Sequence, residues 1–158
     1  MLYLIALGSN MLHPRLGQPR AVLDAATDAL AQNGLDVLAR SPTITSRPLG
    51  PSQRNFANAA AVVETPLDPV ELLDLLQSIE REFGRPAPQR RIGQRWRARM
   101  LDLDIVLWSG GMWQSPRLTI PHAAMAQRDF VLGPASSIAG EWRDPVTGLS
   151  LRQLNARL

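Results

Sequence analysis

Two aspartates alternate with apolar residues in a predicted strand near residue 100, and their spacing is the clearest chemical feature of the sequence. Asp102 and Asp104 would share one face of this strand with Met100, Val106 and Trp108. Two carboxylates on a half-buried face repel each other and lose hydration, and a bound divalent cation relieves both costs. Aspartate oxygens suit Mg²⁺, so the spacing predicts a magnesium site. The alternative is an exposed face with two solvated aspartates. The opposite face would carry Leu101, Leu103, Ile105 and Leu107.

Arginines crowd the segment that precedes this strand. They are Arg81, Arg85, Arg90, Arg91, Arg95, Arg97 and Arg99. All 17 basic residues of the chain are arginine, which excludes a phosphate-binding or Schiff-base lysine. Guanidinium groups bind phosphate through paired N–H donors. Carboxylates for a metal beside guanidinium groups for phosphate together indicate a metal–polyphosphate site.

The composition predicts one domain over residues 1–158. Hydrophobic residues make up 45% of the chain, and the absence of cysteine excludes disulfides, thiolate metal sites and cysteine nucleophiles. No apolar run approaches the ~20 residues that a membrane-spanning helix needs. The segment 1–7 indicates a buried strand and not a signal peptide, so we expect a cytoplasmic location.

The predicted elements follow the order strand, helix, strand, strand, helix, strand. Asp68 and Glu71 are spaced for a capping box at the second helix. The order predicts an α+β fold of the ferredoxin-like βαββαβ type, an antiparallel sheet with helices packed on one face, plus C-terminal additions. The open face would carry Asp102 and Asp104. The turn 109–111 predicts a hairpin between the aspartate strand and residues 112–114.

Two segments without apolar periodicity, 47–54 and 85–98, contain Pro, Gly and Arg. They flank the predicted site, and we expect them to be disordered or open without ligands and to become ordered when ligands bind.

Five groups of residues, in one order along the chain, resemble a single enzyme family. They are Ala6-Leu7-Gly8-Ser9-Asn10; Pro48-Leu49-Gly50 with Asn55-Phe56-Ala57-Asn58-Ala59; Ile79-Glu80 before Gly84-Arg85; Arg95-Trp96 through Arg99 into Leu101-Asp102-Leu103-Asp104-Ile105; and Leu118-Thr119-Ile120-Pro121-His122 with Arg128 and Phe130. Together they resemble the 6-hydroxymethyl-7,8-dihydropterin pyrophosphokinases of folate biosynthesis.

The resemblance implies an ATP- and Mg²⁺-dependent diphosphotransferase. Members of the family transfer pyrophosphate from ATP to the hydroxymethyl oxygen of the pterin and release AMP. Asp102 and Asp104 would hold two Mg²⁺ ions that bridge the ATP phosphates, and Arg85 and Arg99 would stabilise transition-state charge. The implied partners are these two small-molecule substrates, with no nucleic acid, no membrane and no obligate protein partner.

The resemblance also implies two sets of binding residues. The implied ATP-binding residues are Gln77, Glu80, Arg85, Trp96, Arg99, Arg117, Thr119, His122 and Arg128. The implied pterin-binding residues are Ser46, Leu49, Phe56, Asn58, Asp102 and Phe130. Two aromatic faces can sandwich a flat heterocycle, and an Asn amide can pair with its polar edge. Without the resemblance, Phe56 and Phe130 are better interpreted as core and His122 as structural.

The chain departs from the family pattern mainly in its basic segment. Ala87 stands where a second arginine is usual, Arg97-Ala98 replaces a usual Gly-Pro, and the segment is longer. Ile44 also stands where an aromatic residue is frequent. These departures leave open a catalytically impaired relative that binds ATP or pterin. A nucleic-acid-binding ferredoxin-like module is a further alternative, although Asp102 and Asp104 would repel phosphate unless metals bind.

Overall fold

The computed structural model describes residues 1–46, 56–84 and 100–158. Leu49, Arg85, Trp96 and Arg99 lie outside these ranges, as do the predicted loops 47–54 and 85–98. The elements are β1 (Leu2–Ser9), α1 (Pro19–Gln32), β2 (Asp36–Arg40), β3 (Ile44–Ser46), β4 (Phe56–Glu64), α2 (Pro69–Glu82), β5 (Asp102–Trp108), β6 (Trp113–Ser115), β7 (Leu118–Ile120), a 3₁₀ turn (Met125–Gln127), α3 (Asp129–Ala139) and α4 (Leu151–Ala156).

The main sheet has β1 between β4 and β5. Its strand order is β2–β4–β1–β5, and β3 also pairs with β4. Each of these pairings is antiparallel, which confirms the predicted antiparallel sheet. A second sheet contains the antiparallel pair β6 and β7.

One face of the main sheet packs against α1 and α2. The alternate residues Tyr3, Ile5 and Leu7 of β1 point into this layer and are fully buried or nearly so. The helices contribute buried residues at helical spacing, among them Leu23 and Leu76. Within the described residues, no helix is long and apolar enough to cross a membrane.

The second helix begins as its sequence predicts. The Asp68 side chain accepts a hydrogen bond from the Glu71 N–H at 2.8 Å, and the Glu71 side chain accepts one from the Asp68 N–H at 2.9 Å. Close by, the hydroxyl of Tyr3 donates to the Leu67 carbonyl at 2.7 Å. Burial raises the pKa of Tyr3 to about 12, and the charges of Asp68 and Glu71 add to the shift. These contacts join the helix start to the central strand.

The opposite face is not left open, which corrects the expectation that helices pack on one face. The C-terminal additions form α3 and α4, and both belong to a second apolar cluster on that face. In α3 the buried residues Leu132, Ala135 and Ala139 follow helical spacing. Pro134 lies inside this helix. Because proline is unfavourable in a helix interior, the local sequence does not predict a helix here. The sheet residues Leu4, Ala60 and Val62 mark the end of this face that packs against the two helices.

Within β5 the predicted alternation holds only as far as Ile105. Leu101, Leu103 and Ile105 belong to the cluster under α1 and α2, but Leu107 belongs to the opposite cluster together with Val106. The pairing with β1 shifts register here, because Leu4 pairs with Leu107 while Ile5 pairs with Ile105. This irregularity inserts one residue and reverses the faces that follow. The predicted face of Leu107 is therefore wrong.

The predicted hairpin between the aspartate strand and residues 112–114 is also wrong, because β6 pairs with β7. The outer edge of β5 is already bonded. The Leu103 N–H donates to the Glu80 carboxylate at 2.8 Å. The His122 N–H donates to the Val106 carbonyl at 3.0 Å. These bonds use backbone groups that a returning strand would need.

The capping box gives a direct test of helix stability. We expect Asp68→Ala to lower the free energy of unfolding by about 1 kcal/mol, because the Glu71 N–H loses its acceptor. Urea denaturation followed by circular dichroism measures this change. Asp28→Ala removes an exposed aspartate within α1 and is the control, with an expected change under about 0.5 kcal/mol. Equal losses in the two variants would contradict the capping role.

Candidate active site

Four neighbouring strands align one residue each at one end of the main sheet. Ile44 of β3 pairs with Asn58 of β4, Asn58 pairs with Gly8 of β1, and Gly8 pairs with Asp102 of β5. We call these four residues the site row. Paired residues in neighbouring strands project to the same face. The row therefore places an apolar side chain, an amide, a bare backbone position and a carboxylate side by side.

Gly8 is the close-packed point of the site row. A Cβ atom built on Gly8 would lie 3.2 Å from the Asn58 Oδ1 and 4.0 Å from the Asp102 Cβ. Asn58 is 9% exposed, so its amide has little space to move away from an added side chain at Gly8. A side chain at this position would crowd the Asn58 amide, which would have to shift by a few tenths of an ångström. The site row therefore has bare backbone at Gly8, between Asn58 on one side and Asp102 on the other.

The two aspartates lie where the sequence predicts, on one face of β5. Asp102 is half-buried opposite Gly8, and Asp104 is exposed opposite Ala6. Within the described ranges, no group of three or more His, Cys, Asp and Glu is placed to hold a metal. A pair of carboxylates is a donor set that suits Mg²⁺, which usually keeps several waters and takes further ligands from substrate phosphates. The residues present therefore fit a magnesium ion that is shared with a phosphate substrate.

Five residues of the predicted nucleotide set lie on α2, in or next to β7, or in the turn that follows β7; they are Gln77, Glu80, Arg117, Thr119 and His122. Arg117 donates to the Gln77 Oε1 at 3.1 Å and to the Asp74 Oδ1 at 2.7 Å. Thr119 is exposed two residues further along. Asp74 was missed by sequence reasoning, although its spacing of three residues from Gln77 makes the two neighbours on a helix. The structure thus brings Gln77 and Arg117 together.

His122 has a defined role in the turn after β7. Its Nδ1 accepts a hydrogen bond from the Ala124 N–H at 3.2 Å. In the neutral imidazole the proton then sits on Nε2, which becomes the donor nitrogen. A structural role in the turn and a donor role toward a ligand are therefore compatible in this histidine.

Glu80 differs from the other predicted nucleotide-binding residues that the structure describes, because it is buried, with 5% of its surface exposed. Its Oε2 accepts the Leu103 N–H bond to the edge of β5. The carboxylate therefore contacts the aspartate strand itself.

The predicted aromatic residues are half-buried, and neither belongs to the buried core. Phe56 begins β4, and its backbone pairs with Ser46 at the end of β3. The guanidinium of Arg128 lies 5.5 Å from the centroid of the Phe130 ring, within cation–π range. This contact joins a residue of the predicted nucleotide set to one of the predicted pterin set.

The family model for 7,8-dihydro-6-hydroxymethylpterin-pyrophosphokinase (HPPK) matches residues 4–140 of the chain. This match includes the site row, both aspartates and the turn with His122. The chain belongs to this family.

Curated relatives support the assignment over most of the chain. A Pseudomonas aeruginosa protein named 2-amino-4-hydroxy-6-hydroxymethyldihydropteridine pyrophosphokinase is 44% identical over 142 residues, which are 89% of this chain and 82% of the relative. A Haemophilus influenzae protein with the same name is 43% identical over 139 residues, covering 87% of this chain and 81% of the relative.

Solved structures support the fold alone, because their sequence identity is low. The wild-type HPPK-DHPS of Plasmodium falciparum has a TM-score of 0.71 at 14% identity and is matched over 99% of this chain and 44% of that chain. A further HPPK-DHPS, solved in complex with substrates, has a TM-score of 0.73 at 12% identity and is matched over 99% and 43%. The chain spans less than half of these solved chains.

Proposed function

We propose that the site row and the neighbouring Asp104 carry the reaction of the family, the transfer of pyrophosphate from ATP to 6-hydroxymethyl-7,8-dihydropterin with release of AMP. Family membership makes the chain a pyrophosphokinase of folate biosynthesis, which uses ATP as its co-substrate. The observation that carries the proposal for the site is the alignment of Asn58, Gly8 and Asp102 on three adjacent strands.

The site row has dimensions that suit the acceptor. Strands lie about 4.8 Å apart, so Asn58 and Asp102, two strands apart, are separated by about 10 Å. A flat two-ring heterocycle with a one-carbon arm fits this distance when it lies over Gly8. The Asn58 amide would then pair with the donor–acceptor edge of the ring, while the hydroxymethyl arm reaches Asp102. Phe56 and Phe130 would stack on the ring, and Ser46 and Leu49 would contact it largely through their backbone.

Asp102 and Asp104 would hold two Mg²⁺ ions together with the ATP phosphates. When bound, these ions neutralise phosphate charge and lower the pKa of a coordinated hydroxyl. Asp102 is half-buried and adjoins the acceptor site, whereas Asp104 is exposed one step further along β5. The protein thereby places the phosphate-binding side of the site next to the hydroxymethyl arm.

The nucleotide would lie along the α2 and β7 side of β5. Arg117, held by Asp74 and Gln77, supplies cationic N–H donors, and His122 supplies its Nε2 donor. The remaining proposed contacts are those of Glu80, Arg85, Trp96, Arg99, Thr119 and Arg128. The proposals for Arg85, Trp96 and Arg99 rest on the resemblance of the motifs.

The transfer itself needs no covalent enzyme intermediate. The hydroxymethyl oxygen attacks the β-phosphorus, the bond from this phosphorus to the α-phosphate bridging oxygen breaks, and AMP leaves. The hydroxyl proton passes to solvent. Arg85 and Arg99 would stabilise the charge that develops on the phosphates, so that positioning and electrostatics account for catalysis.

The finer fold assignment is also a proposal. The strand order β2–β4–β1–β5, with α1 and α2 on one face, supports a ferredoxin-like βαββαβ unit to which α3 and α4 are added. A single domain over 1–158, a cytoplasmic location and independence of nucleic acid and of an obligate protein partner stay predictions from the sequence.

Product identity tests the proposed reaction. We expect AMP from ATP and Mg²⁺ only when 6-hydroxymethyl-7,8-dihydropterin is present, as resolved by separating the nucleotides. Asp102→Asn and Asp104→Asn should each lower kcat/KM by about 1000-fold, because the metal ligands lose their charge. Asp36→Asn alters an exposed aspartate of β2 and should leave kcat/KM unchanged. ADP as the product, or full activity in both site variants, would contradict the proposal. Tight ATP or pterin binding without turnover would instead identify an impaired relative.

Gly8 tests the proposed acceptor site separately. We expect Gly8→Ala to raise the KM for the pterin about tenfold, since overpacking at the Asn58 amide costs on the order of 1–3 kcal/mol. The KM for ATP should change less than about twofold, because the nucleotide would bind on the far side of β5. Gly133→Ala is the matched control, because a Cβ at Gly133 would meet no atom within 4 Å. An unchanged KM for the pterin in Gly8→Ala would contradict the placement of the pterin over Gly8.

A further inference from the structure

The Glu80 side chain is an acidic group buried beside the aspartate strand. It projects from α2, and the residue is 5% exposed. Glutamate is rarely buried unless its carboxylate is hydrogen-bonded or paired. Here the Oε2 accepts a bond from the Leu103 N–H at 2.8 Å, in a buried position. Burial and this contact indicate that the carboxylate acts on the strand.

Leu103 stands between the two aspartates. Its side chain is 3% exposed in the cluster beneath α1 and α2, so Asp102 and Asp104 project to the other face. Along its inner edge, β5 pairs with β1. Along its outer edge, the described residues provide no further strand of the main sheet, and Glu80 supplies the acceptor that a neighbouring strand would otherwise supply. A bond at Leu103 therefore restrains the backbone on which both aspartates are mounted.

We propose that Glu80 is a positioning residue that sets the geometry of the Asp102 and Asp104 carboxylates through the Leu103 N–H. The inference rests on the proposed function and adds a role for Glu80, because one oxygen of its carboxylate then acts on the metal ligands through the backbone of the strand. Mg²⁺ demands near-ideal octahedral geometry with short ligand distances. A shift of the strand backbone would thus weaken metal binding even with both aspartates intact.

Two substitutions distinguish the effect of the length of the Glu80 side chain from the effect of its charge. Glu80→Asp keeps a carboxylate but shortens the side chain by about 1.5 Å, which takes the oxygen beyond hydrogen-bond distance of the Leu103 N–H. Glu80→Gln keeps the length and an acceptor oxygen but removes the charge. The measurements are amide hydrogen exchange at Leu103 in the ligand-free protein and the Mg²⁺ concentration for half-maximal AMP formation at saturating ATP.

We expect Glu80→Asp to speed exchange at Leu103 at least tenfold and to raise the Mg²⁺ midpoint about fivefold. Glu80→Gln should stay within about twofold of the wild type in both measurements. Glu82→Asp, an exposed glutamate two residues along α2, is the control and should change neither. A purely structural role would lower the unfolding midpoint in urea and leave the Mg²⁺ midpoint of the folded enzyme unchanged, which would overturn the proposal.

Further outcomes also decide the question. A greater rise of the Mg²⁺ midpoint in Glu80→Gln than in Glu80→Asp would show that the charge of the carboxylate matters and not its distance from Leu103. If Glu80→Asp weakens inhibition by adenosine but leaves exchange at Leu103 unchanged, Glu80 contacts the nucleoside directly. Either of these two results overturns the proposal. Fast exchange at Leu103 or a raised Mg²⁺ midpoint in Glu80→Gln would likewise overturn the proposal, because this variant keeps both the length of the side chain and an acceptor oxygen. Failure of the proposed function would appear as a wild-type protein that forms no AMP. It is distinguishable from failure of the Glu80 proposal, because the exchange measurement needs no turnover.

Discussion

The antiparallel pairing of β1 with β4 on one side and β5 on the other is the constraint on which the site depends. It places Gly8 between Asn58 and Asp102, which are 44 positions apart in the chain. Because Gly8 lacks a side chain, bare backbone lies between the residues that carry the amide and the carboxylate. A shift by one residue in either pairing would turn one of these groups toward α1 and α2 and would abolish the arrangement.

The site face changes in character along the strands. At the site end it presents Asn58 and Gly8, then Ala60 and Ala6, and beyond them Val62 and Leu4. The apolar end packs against α3 and α4, whereas the polar end carries the residues of the proposed site. The same strands therefore supply both a core and the proposed binding surface, and the division follows from where apolar residues give way to polar ones.

The aspartate strand is held from both sides although it forms the edge of the main sheet. Its inner side is bonded to β1, and its outer side is bonded to Glu80 and to the backbone of His122. Such bonds satisfy backbone groups that an exposed edge would offer to other chains. They also restrain the aspartate strand on the side where the described residues provide no neighbouring strand of the main sheet.

Local sequence patterns determined much of this protein. The capping box at Asp68, the two helices under the sheet, the shared face of Asp102 and Asp104 and the family motifs all follow from spacing within short segments, which neighbouring residues decide. Tertiary structure alone decided the position of Gly8 in the site row, the face of Leu107, the partner of β6 and the helices over the second face. These features depend on strand register, on one irregularity in β5 and on contacts between distant segments, and no local periodicity encodes them. The bond from Glu80 to Leu103 belongs to the same group, because it joins residues 23 positions apart and occupies the edge of a strand whose neighbours only the folded sheet defines.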